Sequence, residues 1–238
     1  MSEHVIVRTS RGPSDDVVTA LEKSGVATAH EAHGRRGLLE PELRPIYPGV
    51  RIAGRAVTVL SHPGDNLMIH ASIEQCREGD VLVVATTSRS TDGMFGDLFA
   101  TQLLHRGVRG LVTDAGVRDI ADLQAMGFPV WARAIHAQGT AKAVPGSVNV
   151  PVVVAGQLVS PGDIIVADDD GVLCIPLAAG EQVVEAAAQR EANESAKRRR
   201  FREGELGLDI YEMRPLLERL GVRYVDADQV NRDSEAIR

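Results

Sequence analysis

Three ionisable side chains in this 238-residue chain stand where chemistry is expected: Asp97 within Gly93-Met94-Phe95-Gly96-Asp97-Leu98, and Arg118 and Asp119 closing Val112-Thr113-Asp114-Ala115-Gly116-Val117-Arg118-Asp119. The carboxylates are hard oxygen ligands suited to Mg²⁺ or Mn²⁺, cations that keep water and accept substrate oxygens when protein ligands are few. Arg118 offers a planar cation that matches a carboxylate. A 2-oxo acid would satisfy this trio. Its ketone and carboxylate oxygens chelate the metal, the guanidinium neutralises charge, and helix-terminal N–H groups bind the carboxylate.

Both segments read as strand-to-helix junctions. Residues 81–85 and 110–113 are short apolar runs of strand type, with a helical run at 97–105 between them. A β-α-β-α order predicts parallel strands, and ligands gather beyond the carboxyl ends of such strands. Glycines at each junction leave backbone N–H groups unpaired where a helix begins. Asp97, Arg118 and Asp119 are therefore expected to meet at one anion-binding edge.

The composition, 44% hydrophobic and 25% charged, suits one large domain, read as a catalytic core over 1–176 with a C-terminal helical arm over 177–238 that packs on the core or a neighbouring subunit. A net charge of -7 argues against nucleic acid as a partner. Cys76 and Cys174 are far apart and lack metal-spaced neighbours, so neither a disulfide framework nor a zinc site is expected. The start, Met1-Ser2-Glu3-His4, lacks a signal-peptide pattern, and no apolar run approaches membrane-spanning length. A cytoplasmic enzyme without a membrane partner is the expectation.

In chain order, Ser14 should cap a helix opened by Asp15 and Asp16 and stopped by Gly25. Thr28-Ala29-His30-Glu31 has the capping-box pattern of a second short helix, where His30 and His33 read as packing or hydrogen-bonding residues. Residues 39–49 form an irregular connection and 50–60 a strand with Gly54 as a candidate bulge. His62-Pro63-Gly64-Asp65-Asn66 turns into a helix, His62 and His70 serving structure. Arg77-Glu78-Gly79-Asp80 and Ser160-Pro161-Gly162-Asp163 share a Gly-Asp turn before an apolar strand. Ile120, Leu123 and Met126 make a helical stripe closed by Gly127, followed by a strand at 129–132. A hairpin at 148–158 turns at Ala155-Gly156-Gln157, and Asp168-Asp169-Asp170-Gly171 reads as an acidic hairpin turn, its neighbours unsuited to a calcium loop. A long helix over 177–203 is broken by Gly204 and Gly207, and 209–219 makes a last amphipathic segment.

Gly96-Asp97, twenty intervening residues and then Arg118-Asp119 resemble the signature of the RraA-like class II pyruvate aldolases, the 4-hydroxy-4-methyl-2-oxoglutarate and 4-carboxy-4-hydroxy-2-oxoadipate aldolases. The likeness runs from about Thr28 through Gly204-Glu205-Leu206-Gly207-Leu208-Asp209-Ile210-Tyr211. It implies an α/β fold, a compact β/β/α sandwich of the swivelling-domain type, assembled as homotrimers or homohexamers with sites between subunits. It also implies that Asp119 holds Mg²⁺ or Mn²⁺ directly, with Asp97 and a neighbouring subunit's Glu194 holding it through water; Glu191 is the next candidate. Gly96, Asp97, Leu98 and Phe99 would bind pyruvate largely through their backbone. Asp97 and Arg118 would be catalytic, Arg118 also contacting substrate.

The reaction inferred is retro-aldol cleavage of 4-carboxy-4-hydroxy-2-oxoadipate to pyruvate and oxaloacetate, or of 4-hydroxy-4-methyl-2-oxoglutarate to two pyruvates, in aromatic-acid catabolism. A metal-bound water held by Asp97 takes the tertiary hydroxyl proton, and metal and Arg118 stabilise the pyruvate enolate. Oxaloacetate decarboxylation should accompany it through the same enolate. Arg35, Arg36 and Arg198 to Arg200 are candidates for the distal carboxylates. Two alternatives stand beside this reading: a Schiff-base aldolase, with Lys142 more suitable than Lys23 or Lys197, and a non-catalytic regulator that binds ribonuclease E, such regulators lacking the aspartate after the arginine.

Overall fold

In the computed structural model, which describes residues 4–8 and 11–227, Ser14 Oγ accepts the Val17 N–H and starts helix α1 (Asp15–Ala32), with Asp15 and Asp16 at its positive end. Gly25 interrupts the helix at φ 74° and ψ 175°. Helical geometry resumes immediately, because Asp168 Oδ2 accepts the Val26 N–H at 2.9 Å. The second segment thus starts at Gly25, not at the Thr28 capping box; a carboxylate 142 residues away does the capping.

The chain then lays down β1 (Arg44–Pro45), β2 (Ile52–Ser61), α2 (Leu67–Ser72) with a 3₁₀ turn at Ile73–Gln75, β3 (Asp80–Thr86) and β4 (Gly93–Phe95). Helix α3 (Asp97–His105), β5 (Gly110–Val117), α4 (Ile120–Ala125) and β6 (Val130–Ile135) follow. After β7 (Ser147–Val148) come two hairpins, β8 (Val152–Val154) with β9 (Gln157–Val159), and β10 (Ile164–Asp168) with β11 (Gly171–Ile175). The main sheet has the order β1-β6-β5-β3-β2-β10-β11, with β4 beside β5 and β7 beside β2. The β2, β3, β5 and β6 pairings are parallel, as the β-α-β-α order predicts, and β10 joins β2 antiparallel.

Alternation along each strand assigns its faces. Leu82 and Val84 join Val57, Val59 and Leu111 under Phe95, Phe99 and Leu103, where α2, α3 and α4 cover the sheet. Val81 and Val83 face the other way with Val112 and Trp131, covered by Val152, Val154 and Val159 of the β8–β9 hairpin. Helix α1 and the start of α5 (Gly180–Arg202) pack on β10 and β11 through Leu21, Val26, Ile164, Leu173 and Val183. Gly54 pairs in register with Ile165 and forms no bulge. A Cβ there would lie 2.4 Å from the Gly79 carbonyl oxygen, so the glycine serves close strand approach.

The Gly-Asp device recurs as expected. Asp80 Oδ2 accepts the Arg77 N–H and Asp163 Oδ2 the Ser160 N–H, each at 2.8 Å, with Gly79 and Gly162 at positive φ. The chain divides into two compact units, Met1–Arg190 and Glu191–Arg238. In the second, Gly204 ends α5 at φ 94°, while Gly207 starts a short helix, α6 (Gly207–Ile210), rather than breaking one. The last amphipathic segment is not continuous: Glu212, at φ 53°, separates α6 from α7 (Arg214–Arg219), and Met213, Leu216 and Leu220 stay exposed. Among the described residues no helix is long and apolar enough to cross a membrane.

Candidate active site

β4 and β5 run parallel with Gly93 opposite Gly116 and Phe95 opposite Val117, so their helical continuations start side by side. A Cβ on Gly116 would sit 2.0 Å from the Thr91 carbonyl oxygen; only glycine lets β5 pass this close to the segment leading into β4. Gly96 is the residue before α3, in extended geometry and without a side-chain cap on the helix. At this helix start the Phe99 and Ala100 N–H groups both donate to Gly96 O at 3.2 Å, so the anion-favouring end of the helix dipole is left to the N–H groups of Asp97 and Leu98.

Arg118 and Asp119 approach that helix start from β5. The Arg118 N–H donates to Phe95 O at 2.9 Å, tying the two junctions together. Asp119 precedes α4 in the left-handed region at φ 59°, and its side chain does not cap that helix. Instead Asp119 Oδ2 accepts the Asp97 N–H at 3.3 Å and lies 3.5 Å from Arg118 Nε. A non-glycine residue held at this φ costs on the order of 1 kcal/mol, and such strain clusters at functional sites. The carboxylate fills the place of a missing side chain: a Cβ on Gly96 would lie 2.1 Å from Asp119 Oδ2.

These residues line one cleft of about 410 Å³, counting its open mouth. Gly96, Asp97, Leu98, Phe99, Arg118 and Asp119 all contribute to it, the grouping expected from the sequence. Among the described residues, no set of three or more His, Cys, Asp or Glu side chains converges on a metal position. The donor chemistry here, two carboxylates beside open space, suits a cation that keeps most of its water.

Asn66 and His70, from the start and end of α2, also line the cleft and were not legible as site residues; Lys142, which the sequence offers as a Schiff-base candidate, lines it too. His70 packs on Phe99 with ring centroids 4.4 Å apart, and partial burial together with the Lys142 charge holds its imidazole below the ordinary 6.5. Lys142 is exposed at the rim, unlike the desolvated amine a Schiff base requires. Arg35 and Arg36 do not line the cleft; Arg35 bonds Glu31 and Arg36 Nε donates to His33 O near the end of α1. Glu191 and Glu194 belong to the second unit, where Arg198 Nη2 donates to Glu194 Oε2 at 3.0 Å. Lys197 and Arg198 to Arg200 are also in that unit; Lys197 Nζ sits 4.3 Å from the Tyr211 ring centroid.

The family model described as RraA-like, Aldolase/RraA, matches residues 15–174, and the chain belongs to that family. A protein of Halalkalibacterium halodurans, provisionally named a 4-hydroxy-4-methyl-2-oxoglutarate aldolase, is 30% identical over 73% of this chain and 82% of its own. One of Burkholderia multivorans with the same provisional name is 37% identical over 61% of this chain and 90% of its own. Among solved structures, Streptomyces coelicolor RraAS2, described as an unusual member of the RNase ES inhibitor RraA protein family, superposes with a TM-score of 0.71 at 29% identity, covering 80% of this chain and 99% of that one. The RraA-like α/β fold is thereby shown.

Proposed function

We propose that this chain is a divalent-metal-dependent pyruvate aldolase that cleaves 4-hydroxy-4-methyl-2-oxoglutarate, 4-carboxy-4-hydroxy-2-oxoadipate or both, releasing pyruvate. One observation carries the reading: the Asp119 carboxylate, on a left-handed backbone, is turned away from its own helix and onto the start of α3 beside Arg118. Capping would leave it on α4, and a surface ion pair needs no strained backbone. The names of the relatives at 30% and 37% identity support the same reading.

Asp119 would hold Mg²⁺ or Mn²⁺ directly and Asp97 would hold it through water, with Glu194 of a neighbouring copy completing the set in a trimer or hexamer. The cation, when bound, supplies Lewis-acid polarisation of the 2-oxo group. The Leu98 N–H, at the start of α3 next to the Asp97 N–H that Asp119 accepts, would bind the C1 carboxylate of the pyruvyl half. Arg118, fixed by its backbone bond to Phe95, places its guanidinium where negative charge develops as the C3–C4 bond breaks. Asp97 takes the proton of the tertiary hydroxyl through an intervening water. The products are the enolate of pyruvate, which is then protonated, and a second 2-oxo acid. Oxaloacetate offers the same pyruvyl half, so its decarboxylation is expected as a side activity.

Release of pyruvate from each diacid, followed by a coupled assay in Mg²⁺, tests the proposal. Turnover supports it. Inert protein that binds and inhibits ribonuclease E would favour instead the regulator reading suggested by the RraAS2 description.

A further inference from the structure

The bond to Phe95 fixes the backbone of Arg118, but its guanidinium, at the end of a long side chain, needs a restraint of its own. Among the described residues its ion-pair partner is Asp119 alone, at 3.5 Å, and that carboxylate is the one assigned to the cation. What lies against the guanidinium on the other side is backbone. A Cβ on Gly139 would stand 3.5 Å from Arg118 Nη1, an ordinary van der Waals contact.

Gly139 belongs to a strap, residues 136–144, that leaves the end of β6 and crosses the carboxyl ends of the parallel strands. Its first half is tied to the two junctions: the His136 N–H donates to Val117 O and the Gly93 N–H to Gln138 O, each at 2.9 Å. Here a Cβ on Gly93 would lie 2.3 Å from His136 O and 3.2 Å from Arg118 Cβ, so the strap passes directly over the stem of Arg118. Its second half is tied to the turn before α2. The Asn66 N–H donates to Ala141 O at 3.0 Å and the Ala141 N–H to Gly64 O at 2.9 Å. Buried Asp65 then closes the strap, Oδ2 accepting the N–H groups of Ala143 and Val144 at 2.7 and 3.0 Å while Oδ1 accepts that of Leu67 at 2.9 Å. Burial pushes the Asp65 carboxyl up, but these three bonds and the nearby His62 outweigh burial and hold it below the ordinary 3.8. The clamp is therefore ionised at neutral pH.

We propose that Asp65 is a positioning residue for the reaction: by anchoring the far end of the strap it holds Gly139 against Arg118 and keeps the guanidinium aimed into the cleft. The assignment rests on the aldolase reading and deepens it. Asp65 does not line the cleft, and all three of its bonds go to backbone N–H groups, so it acts through the strap and not on the substrate. A strap held at one end pivots. With the clamp gone the Gln138 bond remains, and the span around Gly139 is free to lift from Arg118.

The test asks whether Asp65 acts through Arg118. Asp65→Asn keeps the size of the side chain but introduces an NH₂ group that must face one of the three N–H donors. It is compared with wild type, Arg118→Lys and the double variant for diacid cleavage and for exchange of the pyruvate methyl protons in D₂O, thermal unfolding checking the fold of each. Lysine keeps a charge at position 118 but has no Nη1 for the strap to seat. In the wild-type background Asp65→Asn should lower kcat roughly ten- to a hundredfold, as for a misplacement of about 1 Å, with KM nearly unchanged. Exchange should fall in parallel, because it passes through the same enolate. In the Arg118→Lys background the same change should cost less than about twofold, whereas independent effects would multiply. Gly139→Val, at an exposed position, leaves the clamp intact and crowds Nη1; it should show the same dependence on Arg118, and it carries the test if Asp65→Asn unfolds. Equal fold-losses in both backgrounds, or full kcat in Asp65→Asn and Gly139→Val, overturn the assignment while leaving the aldolase reading intact. Wild type inert in both cleavage and exchange overturns that reading and the assignment with it.

Discussion

Gly96→Ala isolates the Asp119 carboxylate from every other feature of the fold. Gly96 has φ -159° and ψ -166°, an extended conformation that alanine adopts without strain. What alanine cannot avoid is contact: its Cβ would stand 2.1 Å from Asp119 Oδ2, 3.2 Å from Asp119 Cγ and 3.3 Å from Arg118 Cγ. The oxygen must withdraw by about 0.9 Å to reach 3.0 Å, the closest approach real Cβ atoms make. It is the free end of a side chain, so the fold yields cheaply and stability should change by less than about 1 kcal/mol. The 3.3 Å bond from the Asp97 N–H is lost, and the carboxylate leaves the start of α3. A displacement of this size at reacting groups costs about a hundredfold in rate, or about 2.7 kcal/mol of transition-state stabilisation. Steady-state pyruvate release at saturating Mg²⁺ reads the loss, and thermal unfolding checks the fold. Activity within threefold of wild type would refute the claim that the position of Asp119 matters; loss together with unfolding would refute the claim that the contact is local.

Other outcomes follow from the body of the fold. Arg55 and Asp80 form a buried two-point pair, Nε to Oδ1 at 2.7 Å and Nη2 to Oδ2 at 2.6 Å. Arg55→Ala leaves Asp80 buried without that partner and should destabilise by about 3–5 kcal/mol in urea unfolding; a loss under 1 kcal/mol would show that water reaches the carboxylate. Buried His33 is held below its ordinary 6.5 mainly by burial, and further by the charges of Arg36 and His30. The unfolded chain then binds the proton more readily, so this residue's contribution to stability should fall as pH drops from 6.5 toward the lower folded value, and level off beneath it. His33→Gln should flatten that segment of the pH–stability curve, and an unchanged slope would contradict the assignment.

What the sequence could reveal depended on the range of the interactions involved. Helix α3 runs over the residues its periodicity marks, and β3 and β5 contain the apolar runs that signal them, because local patterning and glycine punctuation decide those elements. Asp97, Arg118 and Asp119 meet because a parallel sheet leaves its βα junctions on one edge. Lys142 stands out in the sequence only as a Schiff-base candidate, and its sharing a cleft with Asn66 was beyond such reasoning: the two segments join through hydrogen bonds from 64–66 to 141–144, and nothing local announces that pairing. The capping box at Thr28 misled for the same reason, since Asp168 supplies a cap that no nearby residue predicts. In the C-terminal unit, the apolar spacing at 209–219 does suggest one helix, but Glu212 at φ 53° divides it.

The central claim is that Asp119 makes this cleft a metal-dependent aldolase site. The most direct measurement is pyruvate release from 4-carboxy-4-hydroxy-2-oxoadipate by the wild type and by Asp119→Ala, each in Mg²⁺, in excess chelator, and after Mg²⁺ is restored. The account predicts wild-type release that chelator abolishes and Mg²⁺ restores, and no release above background from Asp119→Ala under any condition. Undiminished release in chelator, or an Asp119→Ala variant as active as wild type, would contradict it.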